Sequence, residues 1–485
     1  MNRILKYEDV TQFDQETDVV VAGYGGAGGC AALEARRAGS DVLLLERASG
    51  GGGSTMMSAC EMYLGGSGGT RLQRDLGFAD STGNFRNYLE ACFAPNVDAE
   101  RMRLFTEGAA AHFDWVEALG VKYKRGCFEG RDVVALTGDS LQYTGNERAW
   151  PFTDVATPVP RGHLPADAGH EGGVRFFTAL KARVEEAGVR VQCDSRVTRL
   201  IQDRSGRVCG VVARSAGQDR KVRARQGVIL CCGGFIMNEA MTRRHIPELD
   251  AIATRHGNPG DMGDGILMGV AAGGQAINMG EAFVGIAHYP PPQLTFGIFV
   301  NQQAQRFVNE DVYLARLGHY AAQQPGDRIC MFIDNRHFDR PAYLKVDMVA
   351  VDDSVAVLER EAGYPPGALQ QTVDFYNRHA ARGEDPLFHK ARAWLCPLDT
   401  PPYALVSYRL SEIRPPVFTL GGLDVLPTGE VVDPERQPIP GLYAAGRTVA
   451  GIPRNSKGYA SGMSVADVTF FGRLAGIQAA RQPRC

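Results

Sequence analysis

The run Asp18-Val19-Val20-Val21-Ala22-Gly23-Tyr24-Gly25-Gly26-Ala27-Gly28 constrains this chain more than any other. Val19 to Ala22 are β-branched or small and do not alternate with polar residues, the pattern of a parallel strand buried on both faces. Glycines then arrive in the spacing G-x-G-x-x-G. Gly23 makes the tight turn, Gly25 lets backbone approach a pyrophosphate, and Gly28 lets the next helix pack on the strand. Gly26 and Ala27 open that helix, where free N–H groups and a partial positive charge favour phosphate. The helix runs to Ala38 and stops at Gly39. Asp41 to Glu46 reads as a second strand. Glu46 lies about 20 residues beyond the glycines, where a carboxylate accepts ribose hydroxyl bonds.

A matching feature closes the chain. Gly441-Leu442-Tyr443-Ala444-Ala445-Gly446-Arg447 is again an apolar strand that ends in glycine. Strand Val432 to Ala445 restores the nucleotide fold, and a helix over Gly458 to Ala475 completes it. A dinucleotide site drawn from both ends of one chain points to FAD, stretched across the fold, and so to redox chemistry.

Bulk properties exclude other classes. At 485 residues the chain can hold two domains and a large core. A net charge of -3 gives no electrostatic case for nucleic acid or an anionic membrane. No window reaches the length of a membrane span, and Met1 to Thr17 lacks the apolar centre of a signal peptide. The 11 cysteines show no C-x-x-C pair. Cys193, Cys231 and Cys232 lie in apolar strands, so they read as small buried residues, and a reducing, cytoplasmic setting is expected. The histidines have no ligand spacing, and no metal is expected.

The fold class expected is α/β: a discontinuous Rossmann-like FAD-binding domain with an inserted α+β substrate or capping domain. Residues 1–282 form the first part of the FAD domain, 283–414 the insertion and 415–485 the second part. Gly53, Ser54 and Thr55, in the loop after the second strand, bring backbone close to the phosphates and flavin edge. Arg47, Val197, Gly233, Gly234, Gly446 and Arg447 join the cofactor set. Asp264 is read either as a cofactor ligand or as a turn cap. Residues 72–119 read as mainly helical, and 139–170 as a long polar loop.

These motifs, with Arg306-Phe307-Val308-Asn309-Glu310, resemble the fumarate reductase/succinate dehydrogenase-like flavoproteins over nearly the whole chain. Fumarate reductases carry a His before their Thr-Met-Gly-Gly segment and read Ala-Gly-Glu near the end. This chain has Pro416 to Gly422 without that His, and Ala445-Gly446-Arg447. The segments Gln142 to Phe152, Asn309 to Tyr313 and Lys457 to Gly462 are instead similar to the 3-ketosteroid Δ4-(5α)-dehydrogenases. That resemblance implies removal of hydrogen from C4 and C5 of a saturated ring, with Tyr313, Tyr459 and Ser461 at the catalytic positions. It also implies that the helix beginning near Ser461, with Gly462, Met463, Ser464 and Val465, points its N-terminus at the pyrimidine edge of the flavin.

Desaturation beside a ketone needs a base for the α-proton, a group that polarises the carbonyl, and a β-hydride acceptor, here flavin N5. Tyr459 is the expected base. Ser461, two residues on, shares its side in an extended segment and would stabilise the phenolate. Arg306 and Glu310 read as an ion pair that fixes a loop, with a proton path as the alternative. The partners expected are a small apolar ketone and an electron acceptor of unknown identity. Two other functions fit the scaffold: a 3-ketosteroid Δ1-dehydrogenase or an enoate reductase of the fumarate type, and, in a different class, a flavin electron-transfer or redox-sensing protein.

Overall fold

The computed structural model describes residues 3–484. Its centre is a nine-stranded sheet. Gln15–Ala22, Val42–Leu45 and Arg190–Gln192 run parallel in that order, and Gln218–Leu230 lies parallel on the other side of Gln15–Ala22. Pro438–Ala444 returns from the far end of the chain to pair in parallel with Val228–Leu230. The two glycine-marked strands therefore flank one central strand. Val19, Val20 and Val21 are fully buried between layers, which is why their run lacks alternation. Helices Gly26–Arg37 and Met463–Ala480 pack on one another against this sheet. Gln218–Leu230 is apolar only towards its end. In its middle, half-buried Arg223 and Arg225 alternate with buried Val222, Ala224 and Gln226, as in a sheet with one wet face.

A second, antiparallel sheet takes the order Ile298–Val300, Cys330–Asp334, Tyr403–Ser407, Met348–Asp352. Leu314–Ala322 belongs to the core on one side of it, and Val355–Glu361 and Ala368–Ala380 to the core on the other. Ala282–Val284 and Pro416–Thr419 pair antiparallel where the chain enters and leaves this region, beside Thr254–Arg255.

Residues 139–170 are largely irregular, as expected, but they are not a solvated loop. Leu141–Gln142 and Gly162–His163 join Met62–Tyr63 and Cys127–Phe128 in a small sheet. Ser140, Gln142, Asn146, Glu147, Arg161 and His163 are all buried. Their polarity is internal: Arg161 pairs with Asp80 at 2.8 Å, and His163 bonds Thr70 and the Arg161 carbonyl. Polar sequence thus conceals a hydrogen-bonded core. No helix among the described residues is long and apolar enough to cross a membrane.

Candidate active site

The glycine turn is built as its spacing requires. Gly23 adopts φ +104°, and a Cβ there would sit 2.3 Å from the Cys231 carbonyl oxygen. Below it Gly28 packs against the Gly23 carbonyl. Gly23, Gly25, Gly26, Ala27, Glu46, Arg47, Gly53, Ser54, Thr55, Val197, Gly233, Asp264, Gly446 and Arg447 line one cleft. Gly234 stands behind it, against Thr419. Glu46 accepts the N–H groups of Tyr24 (2.7 Å) and Ala48 (2.8 Å), which holds its carboxylate at the cleft wall. Asp264 is a clamp for basic side chains: Arg3 at 2.9 Å and Arg196 at 2.6 Å both pair with it. Arg447 pairs with Asp261 and donates to Ser54 Oγ at 2.7 Å, tying the closing strand to the loop after the second strand. An uncapped helix N-terminus, backbone without side chains and a carboxylate at the second strand fit an elongated dinucleotide.

Ser54, Thr55, Arg447 and Val468 also border a second cavity. Its walls include Phe283, Leu314, Ala287, Phe418 and Val465. Phe283 and Phe418 stack at 4.6 Å, and Tyr459 meets Phe283 edge-on at 4.9 Å. Gly462 and Ser464 line this cavity as well, where helix Met463–Ala480 begins; Met463 is buried behind it.

All three expected catalytic side chains, Tyr313, Tyr459 and Ser461, face this cavity. Their pairing differs from the expectation. The Tyr459 hydroxyl donates to Ser464 Oγ at 2.9 Å. Ser461 instead lines the cavity with Tyr313 and Glu61, whose acidities its hydroxyl increases. The segment is not extended: Met463 N–H bonds the Ala460 carbonyl and Gly462 adopts φ +87°, so neighbours two apart no longer share a side. Burial pushes the Tyr459 phenol up to about 12, against the opposing effect of Ser464. Tyr313 is raised well above 10 by burial first, then by Tyr289, Tyr459 and Glu61.

Glu61 went unread in the sequence. It is a lone acid within Ala59-Cys60-Glu61-Met62-Tyr63-Leu64, and that isolation in an apolar run is the signal that could have found it. It lines the cavity and is 2% exposed. Burial lifts its carboxyl to about 7; Ser461, Gln142 and Thr144 oppose the rise, and Glu147 adds to it. Two further residues set the Tyr313 backbone. Asn146 Oδ1 accepts the Tyr313 N–H at 2.9 Å. Arg131 donates to the carbonyls of Asp311 (2.7 Å), Val312 (2.6 Å) and Glu310 (3.3 Å), its guanidinium 4.0 Å from the centre of the Tyr289 ring. Arg306 and Glu310 form a buried cluster with Asp385 and Lys390. None of these four lines either cavity, so the ion-pair reading describes them.

Residues 18–462 match the family described as FAD binding domain. A crystal structure of 3-ketosteroid-Δ4-(5α)-dehydrogenase from Rhodococcus jostii RHA1, in complex with 4-androstene-3,17-dione, superimposes with a TM-score of 0.93 at 39% identity, over 99% of this chain and 100% of that one. A 3-oxo-5-alpha-steroid 4-dehydrogenase of Comamonas testosteroni is 29% identical over 90% of this chain and 94% of its own length. The probable fumarate reductase Ifc3 of Shewanella frigidimarina is 27% identical over 96% of this chain and 75% of its own length.

Proposed function

We propose, from the premise that this chain belongs to the 3-ketosteroid Δ4-(5α)-dehydrogenases within the FAD-binding-domain flavoproteins, that it desaturates the C4–C5 bond of a 3-ketosteroid. The observation that carries this reading is the second cavity: apolar walls, one end lined by Tyr459, Ser461, Tyr313 and Glu61, and a border shared with the cofactor cleft. Apolar walls suit a fused-ring ligand, stabilised by about 25 cal/mol for each Å² of apolar area removed from water. FAD, when bound, supplies the acceptor for the hydride that leaves C5.

The chain's own side chains divide the remaining work. A phenol with its pKa pushed up to about 12 stays protonated near neutrality, so Tyr459 is a hydrogen-bond donor. Its hydroxyl hydrogen, directed at Ser464 Oγ, can turn to the C3 ketone oxygen and stabilise enolate charge there. That role replaces the base expected from sequence. Ser461, which lines the cavity with Tyr313, is the group that takes the C4 proton. Residues 283–414 act as the cap that closes the cavity over the cofactor, since Phe283, Tyr313, Leu314 and Tyr343 all belong to its lining. A cytoplasmic location fits the free cysteines at described positions.

The test is anaerobic bleaching of the bound flavin by a panel of 3-ketosteroids. Bleaching by 5α-saturated steroids, with the 4-ene as product, is expected. Reduction only by 4-ene steroids to give 1,4-dienes would overturn the reading in favour of Δ1 chemistry.

A further inference from the structure

Resting on the desaturase reading, we infer that Glu61 is the proton acceptor behind Ser461, receiving through its hydroxyl the proton removed from the substrate's C4. The geometry begins at Gln142. Its Oε1 accepts the Ala135 N–H at 2.9 Å, which fixes the amide so that Nε2 donates to Glu61 Oε1 at 2.8 Å. Oε2 is thereby left free: it is buried and makes no hydrogen bond of standard geometry. Ser461 stands beside Glu61: both line the cavity, and the chain after Ser461 packs so closely on Glu61 that a Cβ at Gly462 would fall 2.9 Å from the Glu61 carbonyl oxygen. The Ser461 hydroxyl increases the acidity of the carboxyl. Ser461 is itself held by the same strand: its N–H donates to the Thr144 carbonyl at 3.0 Å, and Thr144 Oγ1 donates to the Ser461 carbonyl at 3.2 Å. Residues 142–144 thus hold acceptor and relay in one register.

Space for the carboxylate is also built in. On the neighbouring strand a Cβ at Gly162 would fall 2.0 Å from Glu61 Oε1. A buried acid with an open oxygen, a cleared approach and a hydroxyl beside it in the cavity wall is arranged for proton transfer, because an unpaired buried carboxylate is otherwise costly.

The step balances without further reactants. The C4–H bond breaks and its proton goes to Ser461 Oγ. The Ser461 hydroxyl proton passes to Glu61 Oε2. The electron pair stays with the substrate as the enolate that Tyr459 stabilises. Groups facing Glu61 include Ser461 and Tyr459 from one segment, Tyr313 from the loop before Leu314–Ala322, and Gln142, Thr144 and Glu147 from the strand and turn after residue 140. His163, on the paired strand, turns away to Thr70 and the Arg161 carbonyl. Glu61, with a carboxyl lifted to about 7, changes charge near neutrality, and burial raises the Glu147 carboxyl as well.

The experiment is stopped-flow flavin reduction by a 5α-3-ketosteroid across pH in the parent, Glu61→Gln, Glu61→Asp and Gly162→Ala holoenzymes. In the parent the rate is expected to fall as pH drops through about 7. Glu61→Gln should lose ~10²-fold or more in rate, retain steroid affinity and show no such limb. Glu61→Asp should recover part of the rate together with the limb, and Gly162→Ala should slow reduction while the charge remains. Infrared difference spectra of parent and Glu61→Gln, recorded without steroid, should assign to Glu61 the carboxylic C=O band that disappears through the same pH range. Reduction by Glu61→Gln at near the parent rate, or an unchanged limb in that variant, overturns the relay alone. A parent that no 5α-3-ketosteroid reduces overturns the desaturase reading and the relay with it.

Discussion

The Tyr459 hydroxyl donates to Ser464 Oγ at 2.9 Å, while Ser461, which lies between them in sequence, turns to Glu61 and Tyr313. The left-handed turn at Gly462 separates the two serines by sending the chain into helix Met463–Ala480. In the proposed mechanism one serine accompanies the ketone donor and the other the proton acceptor.

A ketone donor and a base fail differently when removed. Tyr459→Phe should retain FAD and fold, and should lower the rate of flavin reduction by ~10²–10³-fold, as for loss of one oxyanion donor. The shape of its pH profile should stay that of the parent. Ser464→Ala should cost less, because the phenol keeps its own proton. Stopped-flow reduction measures both; a Tyr459→Phe profile that loses its acid limb would restore Tyr459 as the base.

Tyr313 and Ser461 line the cavity together, and the Ser461 hydroxyl increases the acidity of the Tyr313 phenol, so they should act as a unit. Ser461→Ala and Tyr313→Phe are each expected to reduce the rate strongly, and the double variant little further than the worse single one. Residues within one network give such non-additive cycles. Full additivity in the reductive half-reaction would mean that the two hydroxyls work separately.

The cofactor half of the fold was legible because backbone chemistry dictates it. Gly23 and Gly28 stand where a Cβ would overlap main-chain oxygen, and that demand is written directly as glycine. The same holds for the apolar strands ending at Ala22, Leu230 and Ala444, whose lack of alternation marks burial on both faces. The substrate end was less legible. Tyr459 and Ser461 could be named, but their partners could not, because a single turn at Gly462 changes which side chains meet. Glu61 and Gln142 lie far from both in sequence and come together only through short strand pairs over residues 62–63, 141–142 and 162–163. Two-residue strands carry no periodicity to read.

Arg131 tests how much the Tyr313 loop depends on its support. The guanidinium bonds three successive carbonyls, of Glu310, Asp311 and Val312. Arg131→Met keeps much of the stem but leaves those carbonyls without their donor, at a cost of ~1–3 kcal/mol for each that stays unsatisfied. Melting temperature and turnover should fall together, with FAD still bound. Arg131→Lys should recover less than half of the loss, since a single ammonium cannot reproduce the planar fork. A melting temperature unchanged in Arg131→Met would show that the loop holds itself.

Glu61 should leave a signature in stability that does not depend on turnover. Its carboxyl is lifted from 4.5 to about 7 in the fold. The folded state therefore binds the proton more tightly than the unfolded chain does. Its contribution is favourable while the carboxyl is protonated, below about 4.5 in the unfolded chain, and is lost as pH rises through about 7. Each unit of separation corresponds to about 1.4 kcal/mol. Glu61→Gln removes this titration and leaves every other group in place. The variant's melting temperature relative to the parent should thus rise between pH 4.5 and 8, whatever fixed offset the new amide introduces. Scanning calorimetry of both holoproteins across that range measures the difference. A difference that stays flat with pH would mean that Glu61 is ionised in the fold as readily as in the open chain, and the buried carboxyl would lose its standing as a base.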